Sequence, residues 1–126
     1  MSITIVSIED EKEITELLSI VLKSPGLEIV ESNLASEGLD IVRTLHPALV
    51  IVDIMLPDMD GWLVYDAIRA DPEISETPII MLTGLRREFQ TRRLFRNSPI
   101  DMYLTKPFDT LHLRHQIETM LNRQIW

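Results

Sequence analysis

The chain has 126 residues, 45% of them hydrophobic and 25% charged, values that suit one compact folded unit and are too apolar for a disordered segment. It contains no cysteine, which excludes disulfide scaffolds, thiolate metal centres and thiol catalysis. Twenty acidic against twelve basic residues give a formal charge of −8, a field that repels nucleic acid and anionic membranes and argues against a direct DNA reader.

Apolar runs alternate with helix-period segments along the whole chain. Ile3-Thr4-Ile5-Val6-Ser7-Ile8 reads as a short buried strand rich in β-branched residues. Ile14, Leu17, Leu18, Val21 and Leu22 then recur at the spacing of one helix face, with Pro25-Gly26 as the stop. Leu27 to Val30 is a second strand. A shorter helix follows from about Ser36, read as its N-cap, through Leu39, Val42 and Leu45 to His46-Pro47. Ala48-Leu49-Val50-Ile51-Val52 is a third strand, apolar on both faces and hence central in a sheet covered on both sides. It is also the longest aliphatic run, far short of the ~20 residues of a membrane span. Met1 to Thr4 shows no basic leader, so a cytoplasmic location is expected.

Trp62, Leu63, Ala67 and Ile68 predict a helix ending near Asp71-Pro72, and Ile79 to Leu82 a fourth strand. Arg86 to Arg96 reads as a basic helix, Met102 to Leu104 as a short fifth strand. Asp109 caps a last helix carrying Leu113, Ile117, Met120 and Leu121. Five β-α repeats predict an α/β fold with a doubly wound five-stranded parallel sheet and helices on both faces. Ligands of such sheets sit at the carboxyl ends of the strands. Glu9 and Asp10 end the first strand, Asp53 the third and Thr83 the fourth, while Lys106 follows the fifth, so all five converge on one rim.

Carboxylates gathered at one rim repel one another and call for a compensating cation. Hard oxygen ligands suit Mg²⁺, which takes one or two carboxylates and a phosphate oxygen and keeps several waters. Lys106 adds a positive point charge and Thr83 a hydroxyl. An aspartate in this company can accept a phosphoryl group, since metal and lysine neutralise the phosphoryl oxygens while the carboxylate attacks in line. No histidine base or activated serine joins the set, so a hydrolytic dyad is not indicated.

Four blocks at four strand ends carry a resemblance. They are Ile8-Glu9-Asp10-Glu11, Asp53-Ile54-Met55-Leu56-Pro57-Asp58-Met59-Asp60-Gly61, Thr77-Pro78-Ile79-Ile80-Met81-Leu82-Thr83-Gly84, and Asp101-Met102-Tyr103-Leu104-Thr105-Lys106-Pro107-Phe108. In this order they resemble the receiver (response regulator) family of two-component signalling over nearly the whole chain. The resemblance implies a flavodoxin-like (βα)5 fold with strand order 2-1-3-4-5, and a single receiver domain over 1–126 without an output domain.

It further implies Asp53 as the phosphorylated residue, with Mg²⁺ held by Asp10, by Glu9 mainly through water, by Asp53 and by the backbone carbonyl of Met55. Thr83 would move toward the phosphoryl group, Lys106 would pair with it, and Tyr103 would be the partner switch residue. A cis Lys106-Pro107 bond is implied too. The donor would be a histidine kinase or phosphotransfer protein; the output would be a separate protein, or the chain a fragment of a longer regulator, with a phosphorylation-dependent homodimer as a further expectation. Such a domain phosphorylates and dephosphorylates itself but turns over no separate substrate, so it is not an enzyme in the ordinary sense.

Three other readings stand beside this one. A phosphorylation-independent interaction module of the same fold would not need the complete acid, aspartate, threonine and lysine set. A haloacid-dehalogenase phosphatase wants a second aspartate two residues after the nucleophile, where Met55 stands. A flavodoxin-type carrier would bind phosphate after the first strand, where Glu9-Asp10-Glu11 repels it.

Asp58 and Asp60-Gly61 read as turn and cap residues, and Trp62 and Tyr65 as packing. His112 and His115, three apart with no third ligand, read as ordinary surface positions. Arg86, Arg87, Arg92, Arg93 and Arg96 form either a solvated charged face or a docking face for an acidic or phosphorylated partner. Ser98-Pro99-Ile100 departs from the small Gly-Ala pair common in the family before the fifth strand. Met55 and Leu85 are apolar where the family often places side chains that orient the hydrolytic water, so self-dephosphorylation is expected to be slow. Radiolabelled protein should keep its phosphoryl group well beyond seconds.

Overall fold

The computed structural model describes residues 2–84 and 98–126, Thr83 through its backbone only. The expected basic helix, and with it Arg86, Arg87, Arg92, Arg93, Arg96 and Leu85, lies outside the described residues. The elements run β1 (Ile3–Ile8), α1 (Lys12–Val21), β2 (Leu27–Ser32), α2 (Ala35–Leu45), β3 (Leu49–Asp53), α3 (Gly61–Ala70), β4 (Ile79–Thr83), β5 (Asp101–Thr105) and α4 (Thr110–Leu121). The five strands form one sheet in the order β2-β1-β3-β4-β5 with every pair parallel.

Side-chain alternation divides the core into two layers. Val6, Ile8, Val50, Val52, Ile79 and Met81 face α2 and α3, where they meet Ala35, Val42, Trp62, Tyr65 and Ile68. Ile3, Ile5, Leu49, Ile51, Ile80, Leu82 and Leu104 face the other way, onto Leu18, Val21 and Leu22 of α1 and its end, and Leu113 and Ile117 of α4. All five residues of β3 are buried, as its unbroken apolar run requires of a central strand. β2, at the sheet edge, is mostly half-buried or exposed and runs two residues further than its apolar stretch.

Helix starts depart from the sequence reading in one place. Ser36 is not the N-cap of α2. The cap position is Leu34, which has no capping side chain, and the orphan amides are satisfied from a distance. Asp58, in the β3–α3 loop, accepts hydrogen bonds from Ala35 N at 2.8 Å and Ser36 N at 3.0 Å. These backbone donors hold its carboxyl below the ordinary aspartate range. The other two predicted caps are local: Asp60 accepts from Trp62 N at 2.8 Å and Asp109 from His112 N at 3.0 Å.

The start of β5 is held by Arg69 near the end of α3. Its guanidinium donates to the carbonyls of Ser75, Thr77 and Ile100 and to Asp101 Oδ1, the last at 2.7 Å, with the Asp101 side chain wholly buried. Its planar fork suits so many converging acceptors. Tyr65 lies beneath the guanidinium, 5.3 Å from ring centre to Cζ.

Gly61 opens α3 directly against the end of β3. A Cβ there would collide with the Asp53 carbonyl oxygen and lie 2.8 Å from Ile54 Cα, both rigid backbone. Gly61→Ala should therefore lower stability by roughly 1–3 kcal/mol, the usual cost of overpacking, read from chemical denaturation.

Candidate functional site

The rim predicted at the carboxyl ends of the strands is present. Glu9 continues the alternation of Ile3, Ile5 and Ser7, Asp53 that of Leu49 and Ile51, and Lys106 that of Met102 and Leu104. Parity therefore sends all three side chains to the α1/α4 side of the sheet. The parallel register, with β1 beside β3, brings Glu9 next to Asp53. Ligand oxygens of Glu9, Asp10 and Asp53 all lie within 4.8 Å of one another, Glu9 and Asp53 buried and Asp10 exposed.

Lys106 answers this negative charge. Its ammonium lies 2.9 Å from Asp53 Oδ2, 2.7 Å from Glu9 Oε1 and 2.7 Å from Glu11 Oε1. Only 10% of the lysine side chain is exposed, against 1% for Glu9, 4% for Asp53 and 58% for Glu11. The second oxygen of Asp53 accepts a hydrogen bond from Met55 N at 3.0 Å, so both carboxylate oxygens of the predicted acceptor are engaged. The Lys106-Pro107 peptide bond is cis.

Burial and charge set the protonation of the pocket. Removal from water pushes the Glu9 carboxyl up to about 7, and the hydrogen bond and negative charge of Asp53 push the same way, against the opposing pull of Lys106 and the Glu11 amide. For Lys106, burial pulls downward, but the carboxylates of Glu11, Glu9 and Asp53 outweigh it and hold the ammonium above its ordinary range. The lysine is charged at every physiological pH.

The loop behind Asp53 is tied into the frame at several points. Ile54 N donates to Leu82 O at 2.9 Å, Gly61 N donates to Ile54 O at 2.7 Å, and Met55 and Asp60 form an isolated antiparallel bridge. Thr83 ends β4 opposite Thr105 in the sheet register, and its side chain lies outside the described residues. Tyr103 is half-buried on the opposite layer, where its ring meets Trp62 edge-on at 5.6 Å and Trp62 meets Tyr65 in the same way at 5.5 Å. His112 and His115 are exposed on α4 and stand apart from the carboxylate cluster.

Sequence reasoning names Glu11 only as part of the acidic block Glu9-Asp10-Glu11, yet among the described residues it is one of three carboxylates on Lys106. The signal that finds it is spacing: its backbone is extended, so it continues the parity of Glu9 toward the same lysine. The distant capping by Asp58 and the four-acceptor clamp of Arg69 leave no local pattern and emerge only from the fold.

Comparison with known proteins agrees with this geometry. The family described as the response regulator receiver domain matches residues 5–118. The DNA-binding dual master transcriptional regulator RpaA of Synechocystis sp. is 33% identical over 119 residues, 94% of this chain and 49% of that protein. The DNA-binding response regulator MtrA of Mycolicibacterium smegmatis is 35% identical over 119 residues, 94% of this chain and 50% of that protein. The chain thus spans about half the length of the curated relatives it matches.

Among solved structures, a sensor protein from Polaromonas sp. JS666 superposes with a TM-score of 0.82 at 26% identity, covering 95% of this chain and 96% of that one. The signal receiver domain of a signal transduction histidine kinase from Syntrophus aciditrophicus shares the fold, with a TM-score of 0.83 at 22% identity over 96% of this chain and 91% of that one. No helix among the described residues is long and apolar enough to cross a membrane. With the acidic cluster, the buried aspartate and the lysine at the rim of a 2-1-3-4-5 sheet, and a family match over residues 5–118, the chain belongs to the response regulator receiver domains.

Proposed function

We propose that the chain is a phosphorylation switch that accepts a phosphoryl group on Asp53 from a phosphohistidine of a histidine kinase or phosphotransfer protein. The observation that carries this reading is the environment of Asp53. It is a buried carboxylate at the end of a central strand, one oxygen held by the Met55 amide and the other by Lys106, beside two further carboxylates. Such a group is held in one orientation by contacts to both of its oxygens. The Asp53 oxygen forms a bond to phosphorus as the phosphorus–nitrogen bond of the donor breaks, and the donor imidazole leaves with the bonding electron pair.

The donor set fits a hard divalent cation. Three carboxylates within 4.8 Å, one of them open to solvent, offer oxygen ligands only, the preference of Mg²⁺. Asp10 and Asp53 would hold it, with Glu9 and the Met55 carbonyl completing the protein's share. Bound there, it supplies positive charge for the oxygens of the incoming group. Lys106 shares that task and orients the acceptor.

Thr83 at the end of β4 and Tyr103 on β5 are the proposed switch residues, and phosphorylation would bias an existing two-state equilibrium between them. The ring of Tyr103 packs on Trp62, a contact through which the proposed switch would reach the α2/α3 layer. The output would be a protein surface, and the receiver would turn over no separate substrate.

Incubation with Mg²⁺ and acetyl phosphate should add one phosphoryl group by intact mass, and Asp53→Asn should abolish the addition. An unchanged mass for the wild type would favour a constitutive interaction module, and turnover of an added phosphomonoester a phosphatase. The pocket also predicts a pH signature. Without metal, the folded Glu9 carboxyl titrates near 7 against an ordinary value of 4.5, so the folded state binds the extra proton between them. That contribution is present below 4.5 and is lost as pH rises toward 7. In EDTA, the melting temperature of the wild type relative to Glu9→Gln should fall across this window, and Mg²⁺ should diminish or reverse the fall because a cation favours the ionised pocket.

A further inference from the structure

The ammonium of Lys106 has three N–H donors, and three carboxylate oxygens already stand within 2.9 Å of it. A phosphoryl oxygen arriving at Asp53 therefore has to compete with carboxylates for the lysine, and two of them, Glu11 and Asp53, accept hydrogen bonds from it. The three partners are unequal. Glu9 is buried and would face a large desolvation penalty if left unpaired, whereas the charge of Asp53 passes to the phosphoryl group it carries, which the lysine still faces. Glu11 is mostly exposed, so water takes over its carboxylate at little cost. Its backbone also stays in place without the lysine, because Glu11 N donates to Glu9 Oε2 at 3.1 Å.

We infer that Glu11 is a releasable anchor for Lys106: it holds the ammonium in the unphosphorylated protein and is the contact surrendered to the phosphoryl group. Glu11 is thus a positioning residue that acts through Lys106 and tunes how readily Asp53 is phosphorylated. This rests on the reading of Asp53 as phospho-acceptor and adds a competing carboxylate that sets its ease of loading. The competition is an ion-pair exchange, so it weakens as salt screens the exposed partner.

The test measures the rate of labelling by radiolabelled acetyl phosphate and the affinity for beryllofluoride, both with Mg²⁺, in the full chain. Glu11→Gln and Glu11→Ala should raise both by roughly twofold to fivefold, the range of an exposed ion pair. Glu13→Gln is the control for net charge, since Glu13 is exposed in the first turn of α1 and carries the same charge. In a Lys106→Ala background the gain from Glu11→Gln should vanish, and in the native background it should shrink as salt is raised.

A gain no larger than that of Glu13→Gln, or one of full size without Lys106, would overturn the inference while leaving Asp53 as the acceptor. A wild type that takes neither label nor beryllofluoride would overturn the phospho-acceptor reading and this inference with it.

Discussion

Everything at the functional end of this molecule depends on one unfavourable contact made tolerable. Glu9 and Asp53, both removed from solvent, are held close enough to repel strongly, and the ammonium of Lys106 sits among them. Neither the sheet nor the helices demand that carboxylates meet there. The core would be no worse if those strand ends carried apolar residues, and a buried ion cluster is often less stabilising than such a replacement. The raised proton affinity of Glu9 comes first from its removal from water and then from Asp53, and the lysine offsets these only in part. A pocket left with surplus negative charge is one that a cation or a phosphoryl-bound metal can complete.

The rest of the fold serves to keep those strand ends in step. Two apolar layers of alternating side chains clamp β3 from both sides, so Asp53 stands at the end of a strand buried along its whole length. Gly61 lets the first turn of α3 close on the backbone of Asp53 with no side chain between. Asp58 ties the loop behind Asp53 to the first turn of α2, so a shift in that loop is felt at the amides of Ala35 and Ser36. Arg69 anchors the opposite end of β5 to α3 and to the turn preceding β4. Lys106 thereby extends from a strand secured at its base.

Much of this was legible in the residues. The strands are short β-branched runs and the helices show clear apolar spacing, which a parallel sheet with two covered faces makes easy to read. The rim residues Glu9, Asp10, Asp53 and Lys106 followed from the rule that binding groups cluster at carboxyl ends of strands, and the structure brings all four together. What escaped were contacts between positions far apart in sequence whose residue types have good local explanations. Asp58 looks like a turn former, Arg69 like a surface cation at a helix end, and Glu11 like a favourable charge on a helix dipole. Ser36 looked like a cap because serine there usually is one, and a carboxylate from another loop took the position.

The alternation along β5 carries a consequence for how this strand can vary. Tyr103 and Lys106, three residues apart, serve opposite layers, one on Trp62 and the other among the carboxylates. Inserting one residue between Asp101 and Lys106 would turn the ammonium toward the aromatic layer and leave Glu9 and Asp53 facing each other without it. Inserting two would restore the facing but displace the nitrogen by about 6.6 Å along the strand, too far to ion-pair. A change of length here breaks the site even when every residue type is kept, so the spacing of β5 is as much a part of the site as the lysine it carries.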